Sequence, residues 1–224
     1  MQYNHTQNPV QDAGKIVGET LKRHLDEGER VTWLLSGGSG KGVAHAALPY
    51  LSDANLENLY ISLTDERFGP VGHPDENWQQ LLDEGFSAPG ASLYRPLKDV
   101  DAETTAKDFG DWLGEQCAES DFCLAIFGMG TDGHTVGIKP QSPAFTANSL
   151  AVAYAGEDFE RITMTPAAFS CVNQAVIQVS GSDKKDALRK LLRDSPAPTD
   201  QPAQLLKTIP KIALYTNIPE EELS

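Results

Sequence analysis

Apolar residues at Val10, Ala13, Ile16, Val17 and Leu21 recur at three- and four-residue spacing, which predicts an amphipathic helix over about residues 9–27, closed by Gly28. Val31–Leu35 is short and continuously apolar, the pattern of a buried strand. The turn Ser36-Gly37-Gly38-Ser39-Gly40 follows it, and a second helix is predicted to about Leu51. Asn58–Leu63 reads as a strand ending in a polar loop, Thr64-Asp65-Glu66-Arg67. A helix over Glu76–Asp83, a short strand at Ser92–Arg95 and a helix over Ala102–Cys117 come next, the last with Phe109, Trp112 and Leu113 facing inward. Phe122–Phe127, Leu150–Tyr154, Arg161–Met164 and Ala175–Val179 are further strands. A helix at about residues 183–193 and a last strand at Ile212–Tyr215 complete the chain. Strands alternating with helices imply the α/β class, with a mainly parallel sheet covered on both faces. Ser195-Pro196-Ala197-Pro198 reads as a loop, so one domain is expected over residues 1–224.

The chemistry lies where strands end, the place at which α/β sheets bind ligands. The Phe122–Phe127 strand runs into Gly128-Met129-Gly130-Thr131-Asp132-Gly133-His134-Thr135. Its glycines have the spacing of a dinucleotide fingerprint, but that motif continues into a helix. Val136-Gly137-Ile138-Lys139-Pro140 is a poor helix start, which argues against a dinucleotide. A His at such a turn can exchange a proton near neutral pH.

The loop after Leu35 resembles a phosphate-binding loop but fails the Walker spacing at both ends: Leu35 stands at the first glycine position and Gly42 at the hydroxyl position. A Gly/Ser turn opening a helix still presents N–H groups to an anion. Arg67 is a candidate anion clamp, against the plainer reading of a solvated charged loop. Gly181-Ser182-Asp183-Lys184-Lys185 opens the helix after Val179 and supplies a further cation.

With 40% hydrophobic residues the chain can build one substantial core. Its 18 basic and 32 acidic residues give a net charge of −14, which argues against nucleic acid and anionic membranes as partners. A local cluster of cations can still hold a small anion. Cys117, Cys123 and Cys171 fit no zinc spacing and read as buried free thiols in a reducing cytoplasm. The five histidines form no His-Glu-x-x-His pattern, and no metal is expected. The polar start Met1–Val10 has no signal-peptide character, and no run of about 18 apolar residues occurs. A cytoplasmic location is expected.

In order along the chain, several segments together resemble the 6-phosphogluconolactonase family, whose superfamily also holds glucosamine-6-phosphate deaminase. They are Ser36-Gly37-Gly38-Ser39, Asp65-Glu66-Arg67 with Pro70 and Asn77, the Gly128–Thr135 turn, and Arg161-Ile162-Thr163-Met164-Thr165-Pro166. Gly181-x-x-Lys184-x-x-Ala187-Leu188 and Pro202-Ala203-x-x-Leu206 complete the set.

The resemblance implies a three-layer α/β/α fold with a mostly parallel, Rossmann-like sheet. It also implies hydrolysis of 6-phosphogluconolactone in the oxidative pentose phosphate pathway, with no cofactor, by a monomer or small homo-oligomer. It implies that His134 is the general base and that Asp132 orients the turn or the base. Ser36, Gly37, Gly38, Ser39, Arg67 and Lys184 would hold the phosphate. Asp65, Asn77, Gly130 and Gly133 would support them, Asn77 by bracing the Asp65–Arg67 loop or touching the sugar.

Two departures stand out. The first loop continues Gly40-Lys41 where the family reads Thr-Pro. The segment after the histidine reads Val136-Gly137-Ile138-Lys139-Pro140 where the family reads Ala-Ser-Leu-Phe-Pro. Lys139 is expected to be exposed. The deaminases carry Phe-Asn-Glu-Pro there and Asp-Glu-Tyr in the second loop, so this chain sides with the lactonases. A non-catalytic sugar-phosphate-binding protein on the same scaffold is the other alternative.

Overall fold

The computed structural model describes residues 1–223. The chain runs β1 (Gln2–His5), α1 (Pro9–Asp26), β2 (Val31–Leu35), α2 (Gly40–Ala47), β3 (Leu59–Leu63), β4 (Asp65–Arg67), α3 (Asn77–Asp83) and β5 (Ser92–Leu93). It continues through α4 (Ala102–Glu119), β6 (Phe122–Phe127), β7 (Ala151–Ala155), β8 (Glu160–Met164), β9 (Gln174–Val179), α5 (Lys185–Arg189) and β10 (Lys211–Thr216). Seven strands form one sheet in the order β1-β10-β9-β6-β2-β3-β5, and every neighbouring pair is parallel.

Parallel strands buried on both faces show as continuous apolar runs, and β2, β6 and β9 are buried at every position. Side chains alternate between two cores. Val31, Trp33, Leu35, Leu124 and Ile126 pack with α1 and α2, through Val17, Leu21 and Val43. Leu34, Ala125 and Phe127 pack on the opposite face with Phe109 and Leu113 of α4. This is the three-layer α/β/α arrangement expected.

From β2 the chain winds outward through β3 to β5. From β6 it winds the other way through β9 to β10. The reversal falls between β2 and β6, and open α/β sheets bind ligands beyond the strand ends at such a point.

The structure departs from the expectations in four places. Asp65-Glu66-Arg67 is a strand rather than a loop, and β7 and β8 leave the parallel sheet to join it in a separate antiparallel sheet, β4-β8-β7. Short β-rich runs do not by themselves reveal their partners. The polar segment Gln2–His5 is an edge strand on β10, because pairing of its backbone does not need apolar side chains. The helix expected over 183–193 has only Lys185–Arg189 as regular α-helix, flanked by a 3₁₀ turn at Ser182–Lys184 and a π turn at Lys190–Asp194. Two of the cysteines are not free thiols. Cys117 and Cys171 form a disulfide across 54 residues, with Cα atoms 5.0 Å apart. α4 leads into β6 and the Pro166–Cys171 turn leads towards β9. Because β6 and β9 are parallel neighbours, these two lead-ins meet at the same edge of the sheet. Cys123 is free and buried, and burial pushes its thiol up to about 12.

No helix of the described residues is long and apolar enough to cross a membrane.

Candidate active site

The carboxyl ends of β2, β3, β6 and β9 open onto one cavity of about 260 Å³. Ser36–Ser39 reach it from β2, Asp65 and Arg67 from β4 just beyond β3, Gly128–Gly130 and His134 from the turn after β6, and Lys184 from the turn before α5. Every expected site residue therefore lines this cavity except Asp132, which lies immediately behind His134, and Gly133, which shapes the turn.

The turn after β6 is held by its own backbone. Gly130 N–H donates to the His134 carbonyl at 2.9 Å, Gly133 N–H to the Gly130 carbonyl at 3.0 Å, and Thr135 Oγ1 to the Gly128 carbonyl at 2.9 Å. No helix begins at Gly133, which agrees with the exclusion of a dinucleotide motif. The Asp132 carboxylate accepts from the His134 backbone N–H at 3.0 Å and lies 2.5 Å from its Nδ1. This contact orients the ring and assigns the Nδ1 proton to the Asp132 side, leaving Nε2 as the nitrogen free to take a proton. Partial burial opposes the Asp132 charge, but hydrogen bonds from His134 and Lys139 outweigh it and hold the carboxyl well below the usual carboxylate range.

Gly130 is required by close approach: a Cβ there would lie 2.1 Å from His134 Nδ1 and 2.5 Å from Asp132 Oδ1. Gly37 plays the same part across the cavity, where a Cβ would lie 2.2 Å from Asn77 Oδ1. Asn77 Nδ2 donates to the Asp65 carbonyl at 3.0 Å, so Asn77 braces β4 against the first loop.

Glu66, completely buried, ties β4 to the start of α3. Its carboxylate accepts backbone N–H bonds from Arg67 at 2.7 Å, Asn77 at 2.6 Å and Trp78 at 3.0 Å. Burial outweighs these three donors and pushes Glu66 up to about 8. The solvated-loop reading of Asp65–Arg67 is thereby overturned.

Lys139 corrects a second expectation. It is not a free surface cation: its Nζ lies 3.2 Å from Asp132 Oδ2 and 3.3 Å from His134 Nδ1, and the side chain is 30% exposed. Lys41, by contrast, turns away to Gln80 and Glu84.

Arg161 is the site residue that sequence reasoning missed. It is 5% exposed, lines the cavity and donates twice to the Asp158 carboxylate at 2.9 and 2.7 Å. It opens the Arg161–Pro166 segment, but only the pairing of β8 with β4 brings it beside Arg67. The Nε atoms of Arg67 and Arg161 and the Oδ1 of Asn77 are buried without a hydrogen-bond partner. Such atoms are costly unless a ligand or water completes them. Guanidiniums with free donors beside a helix N-terminus suit a phosphate or carboxylate.

Among the described residues, His24, Glu27 and Glu29 form the one grouping of donors close enough to share a metal ion. They stand at the opposite end of β2 from the cavity. There His24 is bonded to Glu29 at 2.6 Å and stacked on Phe122.

The family described as glucosamine-6-phosphate isomerases/6-phosphogluconolactonase matches residues 4–213. A 6-phosphogluconolactonase from Synechocystis is 28% identical over 214 residues, covering 88% of this chain and 86% of the relative. The crystal structure of a 6-phosphogluconolactonase from Shewanella baltica superposes with a TM-score of 0.79 at 22% identity, over 96% of each chain. A monomeric glucosamine-6-phosphate deaminase superposes with a TM-score of 0.81 at 18% identity, over the full length of both.

Proposed function

This chain belongs to the glucosamine-6-phosphate isomerase/6-phosphogluconolactonase family, and on that footing we propose that it hydrolyses 6-phosphogluconolactone to 6-phosphogluconate. The observation that carries the proposal is the Asp132-oriented His134 opening onto the same cavity as the Ser36–Ser39 loop and the cations Arg67, Arg161 and Lys184.

In this reading the phosphate is held by N–H groups at the start of α2 and by Arg67, Arg161 and Lys184. The lactone carbonyl is thereby brought to His134. Nε2 takes a proton from water as the water oxygen adds to the carbonyl carbon. The resulting oxyanion collapses, the ring C–O bond breaks, and Nε2–H returns its proton to the departing ring oxygen. The products on one molecule are a free hydroxyl and a carboxylic acid, which releases its proton to solvent to become the carboxylate. Asp132 keeps Nδ1–H fixed and stabilises the imidazolium between the two proton transfers. His134 and Asp132 need no cofactor for these steps.

The deaminase branch shares the fold. Arg67 in place of the Tyr of its second loop, and Lys139 bonded to Asp132 where that branch carries Glu, weigh against it here.

The test is turnover of freshly made 6-phosphogluconolactone, read through 6-phosphogluconate dehydrogenase against the spontaneous rate. Acceleration above that background is expected. Tight 6-phosphogluconate binding without acceleration would leave a binding protein, and ammonia release from glucosamine 6-phosphate would move the chain to the deaminase branch.

A further inference from the structure

Residues 135–139 form a tight turn fastened to the small antiparallel sheet. Thr135 and Ile138 bridge, with Ile138 N–H donating to the Thr135 carbonyl at 3.0 Å. Gly137 N–H donates to Thr163 Oγ1 at 3.1 Å, and Tyr154 OH donates to the Gly137 carbonyl at 2.5 Å. Val136, which lines the cavity, has φ +49°, a left-handed conformation that a β-branched residue adopts only when its surroundings impose it. The consequence is that Lys139, the position where this chain departs most from the family pattern, is turned back onto the Asp132–His134 pair.

The Asp132 carboxylate is divided between two cations. Oδ1 faces His134 Nδ1, and Oδ2 faces the Lys139 ammonium. The ammonium also lies 3.3 Å from Nδ1, and it can only donate. Two effects follow with the same sign. The ammonium draws part of the carboxylate's charge away from the ring, and it repels a second proton on that ring.

We propose that Lys139 is a positioning residue for the Asp132–His134 pair: its ammonium shares the Asp132 carboxylate with the ring and opposes a second proton on that ring. The other charged groups facing this cavity are Asp65 and Arg67 from β4, Arg161 and Asp158 from the β7–β8 hairpin, and Lys184 before α5. Asp158 is neutralised by Arg161. Among the described residues Asp132 and Lys139 are the charged groups in contact with the His134 ring, Asp132 as acceptor from Nδ1–H and Lys139 as a neighbouring positive charge. The kinetic consequence rests on the lactonase reading; the protonation itself does not.

The experiment follows the His134 ring resonances by NMR against pH in wild type, Lys139→Met, Lys139→Gln and Lys139→Arg, with His134→Asn for assignment. The pH profile of kcat/KM on 6-phosphogluconolactone is measured beside it. In Lys139→Met and Lys139→Gln the ring titration and the acid limb both move to higher pH, and Lys139→Arg stays close to wild type. Unmoved signals of His24, His45 and His73 report an intact fold. Coincident ring titrations in wild type and both neutral variants would overturn the proposal. A shifted ring titration in a protein that does not accelerate lactone hydrolysis would uphold it and refute the lactonase reading instead.

Discussion

His134 Nδ1 lies 2.5 Å from Asp132 Oδ1, and the space for that contact exists because residue 130 has no side chain. Three substitutions probe this arrangement. His134→Ala is expected to lower kcat by about 100-fold or more, the usual scale for a lost general base, with phosphate binding retained. Gly130→Ala places a methyl group into the ring and is expected to lower kcat while the protein stays folded. Asp132→Asn removes the carboxylate that orients the ring and is expected to lower kcat more than it alters KM. Wild-type activity in His134→Ala, measured by the coupled assay, would remove His134 from the mechanism.

Because the Asp132 carboxyl is held low in the fold, its contribution to stability has a defined sign. The stabilisation is fully present above about pH 4, the unfolded value, and is lost as pH falls further. Urea unfolding of wild type and Asp132→Asn at pH 7 and pH 3 is expected to give a larger difference at pH 7.

In the proposed reading Arg67, Arg161 and Lys184 bind the phosphate, a part of the substrate remote from the reacting carbonyl. Arg67→Ala, Arg161→Ala and Lys184→Ala are therefore expected chiefly to raise KM, since a remote clamp binds ground state and transition state alike. Inorganic phosphate should inhibit wild type competitively and these variants less. An unchanged KM in Lys184→Ala would take that residue out of the clamp.

Glu66 titrates in the opposite sense to Asp132. Burial raises it to about 8 in the fold, against about 4.3 when unfolded. Its contribution is fully present below about pH 4.3 and declines as pH rises through 8. Relative to Glu66→Gln, wild type is expected to be favoured most at pH 5 and least at pH 9 in equilibrium unfolding. Glu66→Ala leaves the buried N–H groups of Asn77 and Trp78 unpaired, at about 1–3 kcal/mol each, and frees the part-buried N–H of Arg67. It is expected to loosen Arg67 and Asn77 enough to raise KM as well.

The Cys117–Cys171 bond lies at the edge of the sheet away from the cavity. Its reduction is expected to lower stability by about 2–4 kcal/mol, the usual range for a disulfide, with kcat unchanged. An Ellman titration of the unreduced protein after denaturation should find one thiol, that of Cys123. Three thiols would show that the bond does not form.

The strand–turn pattern was readable because each central strand is buried on both faces, so its residues are apolar without interruption, and the glycine turns that follow are local. Ser36–Ser39, Arg67, His134 and Lys184 could be named as site residues because strand ends are where such sheets bind ligands. Arg161 was missed because it comes to the cavity only through antiparallel pairing of β8 with β4, a long-range register that no local pattern encodes. For the Asp65–Arg67 segment a solvated charged loop stood as the plainer alternative, and only the approach of the start of α3 supplies the N–H donors that allow Glu66 to be buried. The placement of Lys139 depends on a strained turn held by Tyr154 and Thr163, both on the small sheet. Chain-local hydrophobicity and turn chemistry thus determine the elements and the edge of the sheet where the site lies. The charge state and the cation set of that site are decided by which distant segments pack there, because both depend on burial and on partners that are remote in the chain.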